Sequence, residues 1–244
     1  MDIIEEQRRF RDSTPSRLGR GLERLTHPFG AAIASVVPKG LVETVLKGLD
    51  RAAGAPRLVQ FDHDEADLEA ARQAARKVSR AARSVSATTG AAAGLGGALS
   101  MSADIPATIA IALRAIRDTG RAYGYTGDGP AEKLFRLQIL ELAAVDEPEA
   151  RRDRIAALEA ALGPAGELVH ADHEHIAPIV DQAVERISRA IAFTSFRSRA
   201  GMVVPLVGSI VGGLVNSSFQ EDVGKAARFA FQARRLKGDA SAAA

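Results

Sequence analysis

Three histidines, His170, His173 and His175 (the histidine cluster), form the densest group of potential metal ligands in the sequence. Imidazole nitrogens suit zinc, iron or nickel, and their spacing would put His170 and His173 on one face of a helix. A helix that begins at Pro178 would instead leave all three in the loop before it. We therefore expect an exposed polar turn here, and a metal site is the alternative.

Asp104 is a single carboxylate in a region that otherwise lacks charge, and such a group invites a functional interpretation. Its simplest role is to cap the helix that contains Pro106, because an N-cap oxygen accepts a backbone N–H of the first turn. An ion pair with Arg197 or Arg199 is compatible with that role. The sequence therefore predicts an N-cap at Asp104.

Other catalytic signatures are weak. The glycines at 94–97 follow a helical pattern rather than a strand, no Gly-Lys-Ser/Thr loop occurs, and the nearby serines lack a nucleophile-elbow pattern. The absence of cysteine excludes disulfides, thiolate chemistry and cysteine-bound zinc. We expect no cofactor and favour a protein without catalysis. The alternative is a metal-dependent or other hydrolase that uses Asp104, the histidine cluster, or Tyr123 and Tyr125.

Two runs without a charged residue, 84–103 and 200–220, must position these groups. Both runs consist largely of small residues, and each contains a glycine pair: Gly90-x-x-x-Gly94 and Gly208-x-x-x-Gly212. Such pairs leave one helical face open to the close approach of another backbone. We therefore expect the two runs to be helices that pack on each other at the centre of the fold.

Neither run is typical of a membrane-spanning helix. The first is rich in Ser, Thr and Gly, and the second is more apolar but contains Pro205 and Asn216. The start of the chain lacks the apolar stretch of a signal peptide. The sequence therefore favours a cytoplasmic protein that is soluble or peripheral on the inner face of the membrane, with insertion of the two runs into the membrane as the alternative.

The rest of the chain also shows helical periodicity. Apolar residues between Leu68 and Val85 recur at spacings of three and four residues, which indicates an amphipathic helix. Several prolines, including Pro130 and Pro178, stand where a helix would begin. The prediction is an all-α fold: a single bundle of about eight to ten helices around the two uncharged ones.

The charge is unevenly distributed although the net charge is only +2. Residues 197–238 contain seven Lys/Arg and two Asp/Glu, a balance of +5. A basic face of this kind suits a surface of anionic lipid, with solvated charge as the plainer interpretation. Nucleic acid is not expected, because no recognised binding motif accompanies the charge. The lipid-facing side chains would be Arg228, Arg234, Arg235 and Lys237.

Four stretches together resemble the EcsC family of bacterial proteins, over about residues 35–237. They are Ser102–Pro106, Tyr123-Gly-Tyr125, Arg199–Asn216 and Ala227–Leu236. The family is named for a protein that accompanies an ABC-transporter pair, and the resemblance implies a helical protein with hydrophobic segments. It implies no catalytic residues. The motif positions that it makes structural or binding candidates are Asp104, Pro106, Tyr123, Tyr125, Arg199, Pro205, Gly208, Gly212, Asn216 and Arg234.

These observations divide the chain into three parts: an N-terminal helical extension (1–34), an EcsC-like helical domain (35–237) and a disordered tail (238–244). The favoured function is a non-enzymatic protein that associates with a membrane surface or binds an apolar or lipid ligand, and that assists a membrane transporter. One alternative is the hydrolase described above. The other is an interaction module whose glycine faces form a homodimer.

Overall fold

The computed structural model describes residues 2–13, 47–48, 52, 54–95, 101–145, 148–169 and 205–242, and only the backbone at 89–95, 101–106 and 205–217. Its described part contains no strand, only an isolated β-bridge between Leu162 and Leu168. The predicted all-α fold is confirmed. The helices are α1 (Ile3–Asp12), α2 (Leu68–Leu95), α3 (Met101–Ala122), α4 (Pro130–Ala144), α5 (Pro148–Ala160) and α6 (Pro205–Ala242).

Helix α2 carries the apolar stripe that the sequence predicts. Ala71, Ala75, Val78 and Ala82 are all fully buried, as their helical spacing requires. The Asp67 side chain caps the helix, because its Oδ1 accepts the backbone N–H groups of residues 69 and 70 at 2.9 and 3.0 Å. The buried face follows the predicted stripe as far as Ala82, whereas Val85 at the end of the stripe is exposed.

Two helix boundaries differ from the prediction. The described part of α3 already includes Met101, so Asp104 lies inside the helix and is not its N-cap. Helix α6 is a single helix of 38 residues that joins the second uncharged run to the predicted last helix. It continues to Ala242, so residues 238–242, which we expected in a disordered tail, are helical. Alanine in this stretch favours helix, which outweighs the position near the chain end.

The helices that carry the two uncharged runs, α2 and α6, form the most extensive helix pair of the described structure. The predicted contact between their glycine pairs falls on residues described by backbone alone and stays a prediction. The largest described core side chains lie outside the two uncharged runs, mainly on α3, on α4 and on the second half of α6. They include Ile109, Leu113, Ile116, Phe135, Leu137, Leu140, Phe229 and Phe231.

The segment before α2 is irregular and is fastened to α3 by two charged residues. Arg117 and Asp118 are fully buried and form an ion pair of 2.7 Å. Arg117 donates to the carbonyl oxygen of Ala55 at 2.8 Å, and Asp118 accepts the backbone N–H of Leu58 at 2.6 Å. The pair therefore supplies hydrogen bonds to backbone groups that form no strand.

Candidate ligand-binding cleft

Tyr125 and Arg234, two of the motif residues, are in contact. The Arg234 guanidinium lies 3.9 Å from the centre of the Tyr125 ring. Its Nε donates to the carbonyl oxygen of Gly166 at 2.8 Å, and its Nη1 donates to the Glu132 carboxylate at 2.7 Å. The Arg234 guanidinium is thus held by an aromatic ring and by two hydrogen-bond acceptors. This arrangement stabilises the packing of α6 against the loops and does not favour a catalytic role.

Tyr123 belongs to a buried chain of hydrogen bonds. Its hydroxyl accepts from Gln232 Nε2 at 3.0 Å, and Gln232 Oε1 accepts from Gln7 Nε2 at 2.9 Å. Gln7 Nε2 also donates to the carbonyl oxygen of Phe229 at 2.9 Å. Burial raises the pKa of Tyr123 well above its usual value, so the phenol stays neutral. The chain therefore ties α1 to α6 and to the end of α3.

The remaining candidates are placed only in part. Asp104 and Pro106 lie in the first part of α3 as described, and Pro205 is the first described residue of α6. Further along the backbone of α6 are Gly208, Gly212 and Asn216. Arg199 and the histidine cluster lie outside the described residues, so their roles stay predictions. Within the described part of the chain, no group of three or more His, Asp or Glu could hold a metal ion.

The basic side chains expected to face lipid are engaged within the fold. Arg228 contacts the Glu6 carboxylate at 3.2 Å and donates to Ser79 Oγ at 2.9 Å. Lys237 donates to the carbonyl oxygen of Leu162 at 2.9 Å, and Arg235 pairs with an aspartate at 3.1 Å. Arg234 is held as described above. Each of these four side chains therefore has a partner in its own chain, and their contact with lipid stays a prediction.

A cleft of about 340 Å³ lies between α1, α2, α4, α5 and α6. Phe10 and Phe229, both almost fully buried, line its apolar part, and their rings stack with their centroids 4.5 Å apart. Ala143 and Val145 extend the apolar surface from α4. The charged side chains around it are five basic and two acidic: Arg9, Arg76, Arg151, Lys225, Arg228, Glu6 and Asp222. The cleft thus combines an apolar surface with a positive balance.

Glu6 is the acidic residue on which the basic side chains of the cleft converge. Its carboxylate lies 3.3 Å from Arg72, 3.3 Å from Arg76 and 3.2 Å from Arg228. Burial alone would raise the pKa of Glu6, but Arg228 and the other guanidinium groups hold that pKa below its usual value. Glu6 therefore stays ionised and binds α1 to both α2 and α6.

Arg151 differs from the other cations of the cleft. Only 9% of it is exposed, and its guanidinium lies 4.3 Å from the centre of the Phe10 ring. One of its nitrogens donates to the carbonyl oxygen of Phe10 at 3.2 Å, while its buried Nε has no hydrogen-bond partner among the described residues. Burial lowers the pKa of Arg151 despite the opposing charge of Asp222, and a guanidinium still remains charged at neutral pH.

Sequence reasoning missed most of this cleft. Helix α1 matched no motif, although Ile3, Gln7 and Phe10 follow the spacing of an amphipathic helix, and Gln7 and Phe10 are buried. The sequence of α5 is typical of a solvated charged helix, and no local signal indicates that Arg151 is buried and Arg152 exposed. A periodicity search could have found α1. The burial of Arg151 depends on contacts with a helix distant in the chain.

A model of the EcsC protein family matches residues 2–236. This match begins well before residue 35, where the motifs placed the start of the likeness, and so it includes α1. The uncharacterized protein YdbA of Bacillus subtilis (strain 168) is 25% identical over 146 residues, which are 58% of this chain and 49% of that protein. The chain thus aligns with about half the length of this relative. No solved structure matches the chain.

Proposed function

The chain belongs to the EcsC protein family, and on that premise we propose that it is a non-enzymatic binding protein for an apolar or lipid ligand. The observation that carries the proposal is the stacked pair of Phe10 and Phe229 in the cleft of about 340 Å³. Ligand sites of this size are usually apolar surfaces with a few placed polar groups. The cleft has this composition.

The described motif residues support binding over catalysis. Tyr123 and Tyr125 are buried or half-buried, and burial raises the pKa of both phenols. Neither is therefore poised to act as a base near neutral pH. Arg234 is held by a ring, a carbonyl and a carboxylate. Tyr123, Tyr125 and Arg234 therefore stabilise the junction between helices, and we assign ligand binding to the cleft.

A lipid ligand would come from a membrane, so we place the protein at the cytoplasmic face of a membrane, bound peripherally, where it would assist a transport system. The motif resemblance to a family named for a companion of an ABC-transporter pair supports this role. In the described part of the chain, none of the helices is both long and apolar enough to cross a bilayer.

The test is to identify apolar molecules that co-purify with the full chain, by native mass spectrometry and solvent extraction. Ala143→Leu adds volume at a cleft-lining position, whereas Ala157→Leu adds the same volume at an exposed position on α5. We expect the wild type and Ala157→Leu to retain an apolar ligand and Ala143→Leu to lose it. Equal ligand content in the two variants, or none in the wild type, would contradict the proposal.

Vesicle flotation tests the membrane part separately. We expect the chain to float with vesicles of phosphatidylglycerol and phosphatidylcholine, and to float less as added salt shortens the Debye length. Absence of flotation would remove the peripheral location. A dimer in light scattering that carries no ligand would favour the homodimeric interaction module instead.

A further inference from the structure

We propose that Arg151 binds the oxygen atoms of a phosphate group in the cleft beside α1. The inference deepens the proposed function by naming the charged group of the ligand, and it rests on that function only for the ligand's apolar part. Phosphate is available as the free ion and as a lipid head group, and Arg151 would recognise the same oxygens in both.

The first argument is the absence of a close counter-charge among the described residues. Buried arginines are almost always paired, because moving an isolated charge out of water is costly. Of the other cleft cations, Arg9 lies 2.7 Å from Glu5 and Lys225 lies 2.9 Å from Glu221. Arg76 and Arg228 both contact Glu6. Among the described residues, no carboxylate lies within ion-pair distance of Arg151, and Asp222 acts on its charge only from a greater distance.

The second argument weighs the structural role of Arg151. Its Nη2 caps the C-terminal end of α1 through the carbonyl oxygen of Phe10 at 3.2 Å, and it approaches Ser13 Oγ at 3.5 Å. The end of a helix carries about half a negative charge, so it neutralises the guanidinium only in part. The cap also leaves the Nε donor without a partner in the described structure. A cap alone therefore does not account for a buried full charge at a cleft wall.

The third argument is the chemistry of the ligand. A guanidinium presents its N–H donors in a planar fork that matches two phosphate oxygens, and such charge-assisted bonds are stronger than neutral ones. The positive balance of the cleft adds attraction for an anion. The apolar residues that line the cleft next to it, Phe10, Phe229, Ala143 and Val145, offer a place for a chain attached to the phosphate. A phosphate-bearing amphiphile fits both parts of the cleft.

Isothermal titration calorimetry with inorganic phosphate, and with vesicles that contain phosphatidic acid, tests the inference on the full chain. The variants are Arg151→Met and Arg151→Lys, and the matched control is Arg152→Met. Arg152 is the next residue on α5 and its side chain is 71% exposed. We expect wild type and Arg152→Met to bind alike, and Arg151→Met to bind at least about tenfold more weakly, the loss of one charge-assisted hydrogen bond.

Arg151→Lys keeps the charge but loses the fork, so we expect intermediate weakening, and this variant carries the test should Arg151→Met fail to fold. Binding of free phosphate would identify the ion as sufficient, and binding of phosphatidic acid alone would assign the phosphate to a lipid. Equal affinity in wild type and the folded Arg151 variants, or no binding of either probe by wild type, would overturn the inference.

The two sets of variants distinguish failure of the anion site from failure of the proposed function. If an apolar ligand co-purifies and is lost in Ala143→Leu while neither phosphate probe binds, the anion site is wrong and the proposed function stands. If phosphate binds in an Arg151-dependent manner while no apolar molecule co-purifies, the anion site stands and the proposed function is wrong.

Discussion

The guanidinium of Arg234 lies over the ring of Tyr125, 3.9 Å from its centre. These residues come from two sequence motifs that are far apart in the chain, and the contact joins α6 to the loop after α3. The Tyr125 ring also stacks on Phe231, with centroids 5.8 Å apart. One packed junction therefore explains why Tyr125 and Arg234 both belong to sequence motifs.

Arg234→Lys should destabilise the fold by about 2–3 kcal/mol, because a lysine cannot both lie flat on Tyr125 and donate to Glu132 and to the Gly166 carbonyl. Urea unfolding monitored by circular dichroism measures the change. The matched control is Arg235→Lys, whose more exposed ion pair with Asp239 should contribute less than about 0.5 kcal/mol. Equal losses in the two variants would show that the junction is not stabilising.

Gly166→Ala tests the other side of the same junction. Gly166 has a φ of +74°, and a Cβ there would collide with the backbone carbonyl oxygen of Arg234. We expect a loss of about 1–3 kcal/mol, since both the left-handed conformation and the collision disfavour a side chain. Gly129→Ala is the control, because a Cβ at Gly129 would meet nothing within 4 Å. Similar melting temperatures for both variants would contradict this packing.

The fold class and the α2 stripe could be predicted because they depend on local signals. The spacing of Ala71, Ala75 and Val78 determines which face of α2 is buried, and the Asp67 cap needs only its own neighbours. Helix boundaries were less accurate. Asp104 has the residue type of an N-cap, yet α3 already includes Met101, three residues earlier, because the small residues before Asp104 also favour helix.

The cleft could not be predicted, because its character depends on contacts between distant segments. Arg151 and Arg152 are equivalent in the sequence, but Phe10 covers only the first of them. The same holds for Arg117 and Asp118, which are fully buried although charged residues are usually exposed. Which cleft cation has no carboxylate within ion-pair distance among the described residues becomes apparent only from the contacts of the folded chain.

Gly212→Leu tests the predicted contact between the two glycine pairs. If the glycine face of α6 lies close to α2, the larger side chain should overpack the interface and lower stability by about 1–3 kcal/mol. Ala240→Leu adds a similar side chain at an exposed position on the same helix and should change stability little. An unchanged melting temperature for Gly212→Leu would mean that this face is open.

Glu6→Gln tests how α1 is attached. Burial alone would raise the pKa of Glu6, yet Arg228 and the neighbouring arginines hold that pKa below its usual value of 4.5. A carboxyl whose pKa is depressed on folding stabilises the fold above its unfolded pKa and loses this contribution as the pH falls through the folded pKa. We expect Glu6→Gln to be about 2 kcal/mol less stable than wild type at pH 7, with the difference shrinking below about pH 4.5.

The matched control is Glu5→Gln, which removes a partly exposed carboxylate from the neighbouring position of α1 together with its pairs to the exposed Arg8 and Arg9. Exposed ion pairs contribute little, so this variant should follow wild type closely at every pH. Thermal unfolding of the three proteins between pH 3 and pH 7 gives the comparison. A stability difference between wild type and Glu6→Gln that does not change with pH would show that the carboxylate charge does not hold α1, and that the helix is attached by the packing of Phe10 and the hydrogen bonds of Gln7 instead.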